Sequence, residues 1–291
     1  MFEFIKKLFL PITLTLDFMQ KYFKTMVFIT ILFFVTDSNK SVNTSSANLQ
    51  KIELIGPIMD ASSVLDKIEK AKDNDKIQGV LLLVNSPGGA VAPSVELAYA
   101  IKELKEKKPV VAYASGTIAS GSYYASIWAN KIIANPGSMV GSIGVIFQGA
   151  NLEELMQKIG IKTQTVKAGR YKESGTHTRA WNEFEKAELQ NVIKDTYSMF
   201  VNDVSSARNL NAKKHTTYAD AHIFTASQAK KVGLIDEVAT ISFAKEQLYK
   251  LSGVKNPSWA TEDKIDKFME KFINETVSQF SVNFLGGLKA Y

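Results

Sequence analysis

Two residue types in this chain could break an acyl bond between them. One is a serine set among small residues, Ser120 in Ala119-Ser120-Gly121-Ser122-Tyr123-Tyr124, and the other is a later lysine, Lys172 in Gly169-Arg170-Tyr171-Lys172. A serine hydroxyl can attack a carbonyl if an adjacent base takes its proton, and a neutral amine can be that base. The chain has no cysteine and only three histidines. Disulfides, thiolate metal sites and a cysteine nucleophile are therefore excluded, and a histidine base has few candidates. His177, His215 and His222 lie in neither a G-x-S-x-G nor an HExxH setting, which leaves His177, close after the lysine segment, as a minor candidate only.

Each residue also has an ordinary reading. Ser120 before a helical stretch could be an N-cap, and Ser122 competes with it as nucleophile. A free lysine has a pKa of ~10.4, so a lysine acting as base at pH 7 must be pushed down by roughly 4–5 kcal/mol of burial or nearby positive charge. Lys167 is the local rival to Lys172, whereas Arg170 stays protonated. Asn85-Ser86-Pro87-Gly88-Gly89 follows a strand and precedes a helix. Adjacent glycines there can turn the backbone sharply and present amide N–H groups, as an oxyanion hole needs; Gly121, just after the serine, can do the same. Gly141-Ser142-Ile143-Gly144 reads as a tight passage into a strand, with Ser142 able to orient a lysine amine or simply to close a turn.

The elements that must position these residues follow a βαβ rhythm. Strands are expected at 51–58, 77–84, 109–114, 131–135, 143–147 and 162–167. Helices are expected near 61–72, 92–107, 120–129, 151–159, 182–206, 226–232, 242–251 and 261–280. The uninterrupted run Val80-Leu81-Leu82-Leu83-Val84 suits a parallel strand buried on both faces. The fold class is thus α/β, a parallel sheet covered by helices.

Composition is that of a globular protein, 45% hydrophobic and 22% charged over 291 residues, with a net charge of +6. The excess lysine is dispersed and no nucleic-acid motif accompanies it, so nucleic acid is not an expected partner. Residues 25–36 read TMVFITILFFVT, without a charge, behind Lys6, Lys7, Lys21 and Lys24. This run is the expected core of a membrane anchor with its N-terminal side in the cytoplasm. It is shorter than the ~20 residues a bilayer asks for, and a signal peptide cleaved at Ser45-Ser46-Ala47 is the rival reading. The expected organisation is a cytoplasmic or interfacial segment at 1–24, the anchor core at 25–36, a Ser/Asn/Thr-rich linker at 37–50, a catalytic domain at 51–240 and a helical C-terminal extension at 241–291. In that extension Ile265, Phe268, Phe272, Ile273 and Phe280 fall largely on one helical face.

Taken in order, the Asn85–Gly89 turn, Ala119–Tyr124, Ala129–Pro136, Gly141–Val145, Gly169–Lys172 and Phe224–Asp236 resemble the signal peptide peptidase A family of serine proteases, peptidase family S49. The likeness runs from about residue 50 to 240. It implies a ClpP/crotonase-like fold, Ser120 as nucleophile and Lys172 as general base, and oxyanion donors at Gly121 and the Gly88-Gly89 turn. No cofactor or metal is implied. It further implies hydrophobic peptide substrates, namely remnant signal peptides, and contact with membrane lipid. The single-pass anchor would sit in the bacterial cytoplasmic membrane with the catalytic domain on the outer side. A homo-oligomeric ring is implied as well, in which serine and lysine come from neighbouring subunits. Two departures stand out: Ser122 where glycine is usual, expected to narrow the substrate site, and Ala221-His222 in place of a commoner Gly-Arg pair. A related membrane protease with a dedicated protein substrate and a crotonase-fold acyl-CoA enzyme are the alternative readings.

Overall fold

The structure is a computed structural model that describes residues 20–29 and 47–260. The chain divides into two units, Met1–Ser45 and Ser46–Tyr291. In the first, residues 20–29 are helical. The remainder of the expected anchor core, residues 30–36, lies outside the described residues, as does the expected helix at 261–280. Among the described residues no helix is long and apolar enough to cross a membrane.

The second unit runs β1 (Leu49–Ile55), α1 (Ser62–Asp73), β2 (Gly79–Ser86), α2 (Val91–Lys107), β3 (Val110–Ala119), α3 (Gly121–Ser126), β4 (Lys131–Ala134) and β5 (Met139–Gly141). It continues through α4 (Glu153–Lys158), α5 (Glu183–Arg208), a 3-10 turn (Ala212–Thr217), β6 (Ile223–Thr225), α6 (Ala226–Lys231), β7 (Glu237–Val238) and α7 (Ile241–Ser252). The sheet order is β1-β2-β3-β4-β7, all parallel, while β5 lies beside the far end of β3 and pairs antiparallel with β6.

The apolar run in β2 reads as it does because both faces of the sheet are covered. Val80, Leu82 and Val84 pack with Leu97, Ile101 and Leu104 of α2, while Leu81 faces Ala244 and Leu248 of α7. Burial of such side chains, about 1.5–3 kcal/mol each, fixes the register of the central strands. β3 serves two neighbours in turn: Val111–Ala114 pair with β4, and Thr117–Ala119 pair with β5. Between the two halves the register against β2 shifts at Val84/Ser86. There the Asn85 side-chain oxygen accepts from the Thr117 N–H at 3.0 Å, where a Cβ on Gly116 would come within 2.4 Å of it. This bend carries β3 on to Ser120, at the carboxyl edge of the sheet, where parallel α/β folds place their sites.

The expected strands at 143–147 and 162–167 do not form. Gly141 (φ 110°) and Ser142 (φ 50°) turn the chain out of β5, whose two edges are already occupied by β3 and β6. Beyond them Ile146 and Val166 are exposed, with no strand beside them to reward an extended run. The short β6 and β7 were not expected from the sequence, and β6 makes the sheet mixed.

Candidate active site

Ser120 sits between the end of β3 and the start of α3 with φ 52° and ψ −124°. That backbone region is closed to residues bearing a Cβ unless the surroundings enforce it. They do: the Ser120 N–H donates to the Gly141 carbonyl at 2.8 Å, and the Ser120 carbonyl accepts from the Tyr124 N–H at 2.9 Å. Ser120 occupies the N-cap position, yet its side chain makes no capping hydrogen bond, so the ordinary reading of this serine fails. Ser120 lines a small cavity together with Gly89, Gly121 and Gly144.

Ser122, the competing nucleophile, is fully buried. Its hydroxyl accepts from the Ala119 N–H at 2.9 Å and donates to the Ser86 carbonyl at 2.7 Å. The expectation that Ser122 narrows the substrate site is therefore corrected: its side chain points inward and ties the Ser120 turn to the end of β2.

The glycine turn divides its tasks. The Gly88 N–H donates to the Ser86 hydroxyl at 3.2 Å, so its amide is engaged and Gly88 is not a free donor. What position 88 requires is conformation, φ 93°, and the lack of a Cβ, which would lie 2.6 Å from the Gly121 nitrogen. Gly89 bridges to Ile58 in parallel fashion, with Ile58 N–H on the Gly88 carbonyl at 2.9 Å and Ala90 N–H on the Ile58 carbonyl at 2.7 Å. In such a bridge the central residue's own N–H and C=O point away from the partner, towards the serine side. Gly121 is the first residue of α3, whose N–H has no intrahelical acceptor. A Cβ there would sit 3.3 Å from the Gly89 nitrogen. Two unengaged amides thus converge beside Ser120, an arrangement able to hold a developing oxyanion. Ser142 adjoins Gly141; its own N–H donates to the His222 carbonyl at 2.7 Å. The departures at Ala221 (φ 55°) and His222 fall in this supporting turn.

Lys172 is placed elsewhere. The Gly169–Lys172 turn docks on the start of α5, with the Arg170 guanidinium 4.2 Å from the Phe184 ring centre and Tyr171 edge-on to the same ring at 5.6 Å. Its side chain is exposed, and it is not among the residues lining the Ser120 cavity. Lys167, its rival, pairs with Glu173. Glu173 also pairs with Arg179 at 3.1 Å, and Arg179 makes a two-pronged bond to Glu185 at 2.8 and 2.9 Å. Glu185 closes the chain of charges: fully buried, it accepts the Asn182 N–H at 2.8 Å in a capping box at the head of α5. His177 contacts the Ala150 carbonyl and His215 the Tyr197 phenol, so neither histidine attends Ser120.

The bond from Arg179, then that from the Asn182 amide, holds the Glu185 carboxyl at about 2, down from 4.5. Because the folded value is depressed, its contribution to stability is complete above 4.5 and is lost as pH falls from 4.5 through about 2. Glu185→Gln is expected to lower the melting temperature by several degrees at pH 7. The gap between the two proteins should close on acidification across that window. A gap that stays constant in thermal melts between neutral pH and pH ~2.5 would show that the carboxylate charge is not what anchors this loop.

Tyr124 of the serine motif and residues of α5 that were not singled out from the sequence complete the cavity wall. Tyr124 stacks on Phe200 with centroids 4.4 Å apart, and its phenol donates to Asp203 at 2.5 Å. Burial, then that hydrogen bond, raises the phenol's pKa well above the usual range. Thr196, Met199 and Phe200 reach the cavity from one face of α5; their i, i+3, i+4 spacing was the available signal.

A family model described as Peptidase family S49 matches residues 102–255, which include Ser120 and Lys172. The chain belongs to peptidase family S49. Among its relatives, a Methanocaldococcus jannaschii protein named as a candidate protease is 45% identical over 195 residues, 67% of this chain and 62% of that protein. A candidate signal peptide peptidase SppA of Enterococcus faecium is 30% identical over 230 residues, 74% of this chain and 67% of its own length. The chloroplastic serine protease SPPA of Arabidopsis thaliana is 31% identical over 190 residues, 65% of this chain but 28% of that larger protein. The family resemblance seen in the motifs therefore holds, and the mixed α/β sheet with covering helices fits an S49 fold.

Proposed function

We propose that this S49 protein is a membrane-anchored serine endopeptidase that degrades remnant signal peptides, with Ser120 as nucleophile and Lys172 as general base. The observation that carries the reading is the strained, uncapped Ser120 beside two unengaged amides. As the Ser120 oxygen bonds to the scissile carbonyl carbon, its proton passes to a neutral Lys172 amine. The carbonyl oxygen takes the negative charge against the Gly89 and Gly121 N–H groups. The C–N bond then breaks and Lys172 returns the proton to the leaving amine. Water next adds to the acyl-enzyme, giving a proton to Lys172, and the acid leaves as Ser120 recovers its own.

Lys172 is exposed in its own subunit, and a lysine base needs desolvation. A neighbouring subunit's Ser120 face, together with an apolar substrate, supplies that cover in a homo-oligomeric ring. The anchor at 25–36 and the signal-peptide substrate rest on the charge-free N-terminal run, the family resemblance and the name of the Enterococcus relative.

The test combines labelling with peptide accumulation. A small fluorophosphonate is expected to modify Ser120 in the full-length, lipid-reconstituted protein. Cells carrying Ser120→Ala should accumulate apolar leader fragments in membrane extracts, read by mass spectrometry. No labelling of Ser120 would end the serine-peptidase reading; labelling without leader accumulation would leave a peptidase of another substrate.

A further inference from the structure

We propose that the cavity beside Ser120 receives the side chain on the acyl side of the cleaved bond and admits only small, uncharged side chains of about three non-hydrogen atoms or fewer. This rests on Ser120 being the nucleophile and adds the substrate preference. With the acyl carbon on the Ser120 oxygen and its carbonyl oxygen at Gly89 and Gly121, the substituent of the adjoining carbon is the group nearest the cavity. Ser120, Gly121 and Gly89 themselves form part of its wall.

Size follows from the volume, about 30 Å³. A water-sized group needs about 10–15 Å³ by that measure, so two or three such groups fit. Glycine, alanine and serine enter freely, valine and threonine fill the space, and leucine or phenylalanine exceed it. The base cannot easily yield. Tyr124 is 3% exposed, stacked on an equally buried Phe200 and tied by its phenol to Asp203. Ser94 is 1% exposed, its hydroxyl donating to the Ala90 carbonyl at 2.7 Å, and a Cβ on Gly121 would already lie 2.1 Å from its oxygen. Close-packed walls of this kind do not expand for an extra methylene without strain. The remaining wall comes from Thr196 and Met199 of α5, both half-buried, and at the mouth from the exposed Val91 and the half-buried Gly144 and Val145. Among the described residues no charged side chain lines the cavity, so a lysine, arginine or carboxylate entering it would find no counter-ion there.

The experiment uses the full-length, assembled protein and a set of fluorogenic apolar peptides alike except for alanine, valine, leucine or phenylalanine on the acyl side of one scissile bond. Labelling of Ser120 by a methyl fluorophosphonate is measured on the same preparation. The expected result is efficient labelling with kcat/KM for leucine and phenylalanine about 10- to 200-fold below alanine. Met199→Ala should raise leucine relative to alanine by about tenfold. Labelled enzyme that cleaves leucine or phenylalanine peptides within about threefold of alanine, or a Met199→Ala protein with an unchanged alanine-to-leucine ratio, would overturn the size limit and leave the peptidase reading standing. Failure of Ser120 to label would instead overturn the reading beneath it.

Discussion

Replacing Ser120 with glycine is expected to give a protein that is dead as a peptidase and more stable than the wild type. Loss of the attacking oxygen should cost about four to six orders of magnitude in kcat, since the oxyanion donors and peptide binding alone retain only a residual rate. The stability gain comes from the backbone. Ser120 holds φ 52° and ψ −124°, a conformation that costs a residue with a Cβ about 1–3 kcal/mol and glycine little. Against that gain, glycine's freer unfolded chain takes back about 0.4–1 kcal/mol. A net stabilisation of up to about 2.6 kcal/mol should appear in denaturant titration. Ser120→Ala should be as inactive but no more stable, because its Cβ keeps the strain. If the glycine and alanine proteins unfolded at the same denaturant concentration, the turn would not be storing strain. The two variants together separate the loss of chemistry from the relief of geometry, which a single alanine substitution cannot do.

That strain also marks where reading the sequence stopped. The βαβ order and the central strands could be read because β2 and β3 are covered on both faces, and burial leaves its mark residue by residue. Strands of two or three residues, such as β7 and β6, carry no periodicity to read. The false strands at 143–147 and 162–167 have apolar residues but no strand beside them, β5 having both its edges taken by β3 and β6, and the turn at Gly141-Ser142 that removes them from the sheet looks locally like any glycine turn. Ser120 and Ser122 could not be ranked locally because the deciding contact is remote: the Ser122 hydroxyl reaches the Ser86 carbonyl of β2. The same holds for the oxyanion turn, where the parallel bridge from Ile58 decides that Gly89, and not Gly88, has the amide to offer. The cavity wall was hidden for a different reason. Thr196, Met199 and Phe200 fall inside the helix expected near 182–206, and nothing along the chain says that this helix passes beside Ser120.

Lys172 yields the second large effect, through mixing. Lys172→Ala alone is expected to lose about 10²–10⁴-fold in activity as a lost general base. Lys172→Arg should do no better, because arginine keeps its proton. Neither change touches the Glu173–Arg179–Glu185 chain that holds the loop to α5, so both proteins should fold and assemble. Lys172 is exposed and stands apart from the walls of the Ser120 cavity in its own chain, so a shared site would have to draw its lysine from the next subunit. Co-expressing Ser120→Ala and Lys172→Ala chains in equal amounts then creates interfaces of all combinations. In a head-to-tail assembly roughly a quarter of them join an intact serine to an intact lysine, and peptide cleavage should return to about that fraction of the wild-type rate. Each variant assembled by itself stays at its own residual rate, far below that fraction. A site built within one subunit gives the opposite result, since every chain in the mixture lacks one of the two groups and no pairing restores it. Silence in a mixed assembly whose composition has been verified by native mass spectrometry would therefore place base and nucleophile in one chain. The loop carrying Lys172 would then have to swing from α5 to Ser120, breaking the ion pairs that anchor it.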